Sequence, residues 1–215
     1  MKIILLGAPG SGKGTVAGQI SRDFKIPHIS TGEIFRDNIE RGTEIGKLAK
    51  QLIDNGNLMP DDITIALVKD RISQKDCKNG FILDGFPRTL TQAKTLTTLT
   101  KIDAVIYVNV PKQEIINRIE SRRVCSKCSK NYDTRIYGKL TCEVCGGKLE
   151  KRADDNLVAI NQRYDIFTKQ SKPLLEYYAK QIFEVAGPKT REETYNPIKE
   201  FLKKEVLKVD CKFAK

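Results

Sequence analysis

Three stretches of this 215-residue chain carry chemistry in their residue types and spacing. The first is Gly7-Ala8-Pro9-Gly10-Ser11-Gly12-Lys13-Gly14-Thr15. Glycines let main-chain N–H groups converge on one point with no Cβ in the way, and Lys13 adds a full charge. Such a loop cradles phosphate when it follows a strand and opens a helix. The general pattern has Ser or Thr after Gly-Lys; Gly14 stands there and Thr15 follows. The loop therefore reads as a phosphate cradle without an assigned metal-binding hydroxyl. The second stretch is Asp84, closing the apolar run Phe81-Ile82-Leu83 and followed by Gly85-Phe86-Pro87-Arg88. A carboxylate at such a strand end suits a magnesium ion that keeps its waters. The third is Cys125-x2-Cys128, thirteen residues, then Cys142-x2-Cys145. Two such knuckles suit a tetrahedral zinc thiolate site, and four thiolates leave no open position, so the metal would be structural.

The arginines Arg36, Arg88, Arg118, Arg122, Arg123, Arg152 and Arg163 gain meaning from this company. Phosphoryl transfer asks a protein for charge neutralisation and alignment more than for covalent chemistry. No Ser-His-Asp arrangement competes with that account. The single histidine, His28, lies beside a proline and is assigned a structural part only. Cys77 and Cys211 are isolated and read as free thiols.

The elements that must position these residues alternate. A strand at residues 2–6 precedes the glycine loop, and Val16, Ile20 and Phe24 give the next helix its apolar stripe. A short strand at 27–30 leads to Ser30-Thr31-Gly32-Glu33, a cap with an acid in the first turn. Residues 31–60 read as short helices without a strand. Further helices are expected at 61–73, 89–100 and 112–123, with strands at 81–84 and 104–110. Residues 124–153 are polar and bear the cysteines, which suggests a small β-rich insertion. Helical spacing resumes at Asn156, with a kink or a restart expected at Pro173, then a strand at 182–185 and a C-terminal helix ending near Leu207. Strands alternating with helices imply an α/β, doubly wound parallel sheet whose ligands bind at the carboxyl ends of its strands. The glycine loop, Ser30-Thr31 and Asp84-Gly85 should meet there.

The length allows one sizeable core with insertions. Net charge is +11, which favours anionic partners, nucleic acid or phosphorylated small molecules. No apolar stretch reaches the ~18–20 residues of a membrane span. The apolar run after Met1-Lys2 stops at Gly7, too early for a signal peptide, so a cytoplasmic location is expected.

Taken together, the glycine loop, Ser30-Thr31-Gly32-Glu33, Asp84-Gly85-Phe86-Pro87-Arg88-Thr89 with Gln92, and Arg152-Ala153-Asp154-Asp155-Asn156 resemble the adenylate kinase family, in its long-lid bacterial form with a zinc-bearing lid. The likeness covers nearly the whole chain and weakens after about Gln181. Gly14 in place of Ser is that family's usual form. The resemblance implies a P-loop nucleoside monophosphate kinase fold with residues 1–30, 60–121 and 156–215 as core, 31–59 as the monophosphate-gripping insertion and 122–155 as lid. It implies reversible phosphoryl transfer from MgATP to AMP, giving two ADP, by a monomer that needs neither nucleic acid nor membrane.

By the same resemblance, Gly10, Ser11, Gly12, Lys13, Gly14 and Thr15 wrap the ATP phosphates. Arg118 stacks on the ATP base, Asn131 and Tyr132 touch ATP from the lid, and Lys189 contacts its base. The lid is shorter between its knuckles than is usual in the family. Thr31, Arg36, the backbone of Asn57, Leu58 and Met59, then Gly85, Phe86, Pro87, Arg88 and Gln92 hold AMP. Lys13, Arg88, Arg122, Arg152 and Arg163 close on the phosphates, with Arg152 and Arg163 shared with AMP. Asp84 serves Mg2+ through water, and Cys125, Cys128, Cys142 and Cys145 hold Zn2+. The alternatives are a kinase for another nucleoside monophosphate, with Thr31 and Asp84 arguing against the uridylate–cytidylate branch, and a zinc-ribbon P-loop protein that binds nucleic acid.

Overall fold

The computed structural model describes residues 1–152, 155–186 and 190–206. Ala153, Asp154 and Lys189 of the motifs above, and the tail with Leu207 and Cys211, lie outside the described residues.

Five parallel strands form the central sheet in the order β2-β3-β1-β4-β8: β1 (Lys2–Leu6), β2 (His28–Ser30), β3 (Phe81–Asp84), β4 (Ala104–Asn109) and β8 (Ile182–Ala186). Strand alternation divides the core. Ile3, Leu5, Ala104, Ile106 and Val108 face one way, against α1 (Lys13–Phe24), α6 (Lys112–Glu120) and α8 (Arg191–Phe201). Ile4, Leu6, Val105 and Leu83 face the other, against α4 (Asp61–Ile72), α5 (Leu90–Leu99) and the end of α7 (Leu157–Tyr177). Both faces are covered, as a parallel sheet requires.

Two smaller apolar clusters stand apart. Phe35, Ala49 and Met59 tie α2 (Thr31–Glu40) and α3 (Glu44–Asp54) together, with Ser30 and Thr43 capping these helices. Cys125, Tyr132, Cys142 and Leu149 form the other, within a three-stranded antiparallel sheet, β6-β5-β7: β5 (Arg122–Cys125), β6 (Asn131–Asp133) and β7 (Leu149–Glu150).

Two local expectations are corrected. The helix expected to reach Arg123 stops at Glu120. The Ser121 hydroxyl donates to the carbonyls of Asn117 and Arg118, and Arg122–Val124 pair with Asn131–Asp133, so strand pairing takes those residues from the helix. The helix does not restart at Pro173: α7 spans 21 residues with the proline inside it. Leu174 and Tyr178, each 4% exposed, anchor the segment beyond the proline in the core.

Candidate active site

The glycine loop leaves β1 at its carboxyl end and becomes α1 at Lys13. Gly10 and Gly12 take φ values of +83° and +96°, a region closed to most side chains, and a Cβ at Gly10 would lie 2.7 Å from Ile119. Gly12 is the helix N-cap, with no side-chain cap. The first-turn amides therefore point toward the loop's concave side, where an anion is favoured. Lys13 Nζ donates to the carbonyls of Gly7 (2.7 Å) and Ala8 (2.8 Å). Burial lowers the Lys13 pKa to about 8; Asp84 opposes the shift, and Arg88 and Arg122 add to it.

That electrostatic environment is the main result of the geometry. Lys13 feels the charges of Asp84, Arg88 and Arg122, and Arg88 those of Asp84 and Arg163. Residues from β3, α1, α7, β5 and the 85–88 loop thus converge at the carboxyl ends of β1 and β3. Asp84 lies beside the start of α1, its Oδ2 3.5 Å from where a Gly14 Cβ would stand. Burial alone would raise its pKa, but the His28 hydrogen bond and the Lys13 charge outweigh that and hold it low.

On the other side of Asp84, the Thr31 hydroxyl donates to the Gly85 carbonyl (2.9 Å), and Arg88 Nε donates to the same oxygen (2.8 Å). Gln92 is 2% exposed; its Oε1 accepts from the Arg88 N–H and its Nε2 donates to Asp61 Oδ1, both at 2.7 Å. A primary amide has two N–H groups and two lone-pair sites, so one of each remains for a ligand. Arg36 stands over Gly32 in α2. The turn carrying Asn57, Leu58 and Met59 meets α7: Gln162 Nε2 donates to Asn57 Oδ1 (2.7 Å), and Arg163 Nη2 donates to the Ile53 carbonyl (2.8 Å).

Arg118 crosses the glycine loop, donating to the Ser11 carbonyl (3.0 Å) and to Glu114 Oε1 (2.7 Å). Arg122 forks onto Asp155 through both Nε and Nη2, and the Asp155 side chain is 0% exposed. Arg152 follows β7 and is half-buried, and its carbonyl accepts the Asp155 N–H. Asn131 is exposed, but the Tyr132 ring is buried with its hydroxyl on Cys142. Only the Tyr132 main chain is left to face a nucleotide.

The four Sγ atoms of Cys125, Cys128, Cys142 and Cys145 lie within 4.8 Å of one another. A tetrahedron of thiolates ~2.3 Å from zinc has edges of about 3.8 Å. The N–H groups of Lys127 and Val144 point at Cys125 and Cys142 Sγ, at 3.4 Å each. Gly147 closes the cradle; a Cβ there would sit 2.7 Å from Cys125 Sγ. Against the cost of desolvation, the Tyr132 hydroxyl and nearby amides hold the Cys142 pKa down to about 6. The donor set fits a zinc ion.

Several contributors escaped the sequence reading. His28, taken as structural, places Nε2 3.3 Å from Asp84 Oδ2. Residues 28 and 30 share a strand face, opposite Ile82 and Asp84 in register, so the signal was a two-residue alternation that needed the strand order. Asp61 orients Gln92, and Glu114 joins Arg118 to Arg135 in the turn after β6.

A phosphate loop on a doubly wound parallel sheet, with cations gathered round an acidic strand end, defines a P-loop phosphotransferase. The sequence model described as adenylate kinase matches residues 5–183. Curated relatives called adenylate kinase include those of Agathobacter rectalis (50% identical over 210 residues, 92% of this chain and 97% of the relative) and Acetivibrio thermocellus (50% over 190 residues, 84% and 87%). That of Clostridium tetani is 44% identical over 212 residues, 94% of this chain and 98% of the relative. The chain belongs to the adenylate kinase family, and it is a nucleoside monophosphate kinase. Among the described residues, no helix is long and apolar enough to cross a membrane.

Proposed function

We propose that the chain transfers a phosphoryl group reversibly between MgATP and AMP, with residues 122–155 acting as a lid and 31–59 as the AMP-gripping insertion. One observation carries this reading: Lys13 lies within reach of the charges of Asp84, Arg88 and Arg122, and Arg88 within reach of Arg163, between the glycine loop and the Thr31–Gly85 contact. Two phosphate chains meeting end to end need such a cluster, because the transferring group spreads negative charge over its oxygens.

The loop amides and Lys13 hold the donor phosphates, and Arg118 offers a guanidinium face to the donor base. On the acceptor side, Thr31, Arg36 and Arg88 hold the monophosphate. The free N–H and lone pair of Gln92 match the donor and acceptor on one adenine edge, with Asp61 and the Arg88 N–H fixing the amide's orientation. Arg122, Arg152 and Arg163 then close on the phosphates and exclude water, which would otherwise take the phosphoryl group. Magnesium, when bound with ATP, neutralises phosphate charge, and Asp84 is the carboxylate placed to hold it through water. Zinc on the four cysteines staples a segment whose own apolar core is four residues.

ADP formation from ATP with AMP, UMP, CMP or GMP, for the wild type and Arg88→Ala, tests this reading. AMP should be preferred by orders of magnitude, and Arg88→Ala should lose most of the rate. Equal use of another monophosphate would overturn the specificity.

A further inference from the structure

The cysteine cluster is lopsided. Cys125 and Cys142 are 1% and 4% exposed, while Cys128 and Cys145 are exposed. The inner pair is walled in. The Tyr132 hydroxyl lies 3.0 Å from Cys142 Sγ, Tyr137 packs on the Tyr132 ring with centroids 4.5 Å apart, and Gly147 presses on Cys125. The outer pair has no such cover, and each outer sulfur touches an inner one: Cys145 to Cys125 at 3.4 Å, and Cys128 to Cys142 at 3.5 Å. Zinc-bound thiolates keep nucleophilic character, and their attack on peroxides and alkylating agents is governed by access.

We propose that Cys128 and Cys145 are the modification site of the lid, the edge through which peroxide or a soft electrophile opens the metal centre while Cys125 and Cys142 stay shielded from first attack. This rests on the zinc reading of the cluster. In the first step an outer thiolate sulfur attacks one oxygen of hydrogen peroxide; the S–O bond forms, the O–O bond breaks, and hydroxide leaves, giving a sulfenic acid. The touching inner thiolate then attacks that sulfur, the S–S bond forms and a second hydroxide leaves. Two thiolates have given up two electrons, and peroxide has accepted them. Two ligands are lost, so zinc departs and the lid loses its staple.

The test uses zinc-loaded holoprotein, its metal content measured first. A limited pulse of iodoacetamide is followed by mass spectrometry of each cysteine. In parallel, hydrogen peroxide is added and zinc release is followed with a colorimetric chelator, alongside ADP formation. Cys128 and Cys145 should be alkylated at least about ten-fold faster than Cys125 and Cys142, since metal-site access governs thiol reactivity. Peroxide should release zinc in step with loss of the outer thiols, and kinase activity should fall with the zinc and return with reductant plus zinc. Equal labelling of all four, or zinc release with both outer thiols still reduced, would overturn the proposal. Full activity after zinc has gone would overturn its coupling to the lid. A loaded preparation containing no zinc would refute the metal reading itself, which the labelling of a zinc-replete sample leaves intact.

Discussion

The fork of Arg122 onto Asp155 joins the two ends of the proposed lid, and its energetics yield a prediction of sign as well as size. The Asp155 side chain is 0% exposed and that of Arg122 is 20% exposed. Arg122→Ala would strand a buried carboxylate without its partner, which typically costs about 3–5 kcal/mol. Asp155→Ala strands only the guanidinium, which water can reach, and should cost less, about 1–3 kcal/mol. Removing both partners leaves no uncompensated charge, so Arg122→Ala/Asp155→Ala should be more stable than Arg122→Ala alone. The coupling should exceed about 1 kcal/mol, beyond the non-additivity of independent sites. Urea unfolding of the four proteins at pH 7 measures the cycle. Additive losses, or a double variant less stable than Arg122→Ala, would show that the pair is not desolvated as the structure has it.

Lys13 supplies an opposite trade between stability and activity. Its pKa is lowered to about 8 from an unfolded value of 10.5, so its burial penalty is full below about pH 8 and fades as pH rises toward 10.5. Lys13→Met should therefore abolish turnover yet raise the melting temperature at pH 7, with a gain that shrinks by pH 10; a lower melting temperature at pH 7 would contradict this. In the wild type, kcat/KM for ATP should fall along an alkaline limb beginning near pH 8, because that ratio reports the free enzyme, and a flat profile to pH 9.5 would count against it. His28→Leu removes the hydrogen bond to Asp84 and should raise several-fold the magnesium concentration needed for half-maximal nucleotide binding in calorimetry, with His28→Gln restoring much of it. Gly147→Ala drives a methyl into Cys125 Sγ and should weaken zinc retention against a chelator about ten-fold or more, leaving nucleotide-free helix content unchanged by circular dichroism.

Local chemistry was legible in the sequence where one short stretch carried the whole device. The glycine loop, the acid closing β3 and the two cysteine knuckles each need only neighbours in the chain. The alternation of strands and helices was legible for the same reason, since periodicity is local. What was hidden lies between elements. His28 meets Asp84 only because β2 lies beside β3, and Gln92 is oriented by Asp61 from α4, 31 residues away. The end of α6 was misplaced because antiparallel pairing with Tyr132 and Asp133, across the turn that bears the first cysteine knuckle, outweighed local helix preference at Arg122 and Arg123.

Those cross-element contacts also explain how a site dense in cations stays folded before a nucleotide arrives. Lys13 rests on the carbonyls of Gly7 and Ala8, Arg88 on that of Gly85, Arg118 on that of Ser11, and Arg163 on that of Ile53. Arg118 also meets the part-exposed Glu114 carboxylate. A phosphate is a stronger partner than these carbonyls, because it meets the cation with a full opposite charge where a carbonyl offers only a dipole. A phosphate chain can therefore take over each cation in turn without leaving a buried carboxylate exposed to its own charge. Arg122 is different, since its partner is a buried carboxylate. Its Nε and Nη2 should stay on Asp155 when nucleotide binds, so Arg122 would meet the phosphates as a cation already fixed in place rather than one that first leaves a carbonyl.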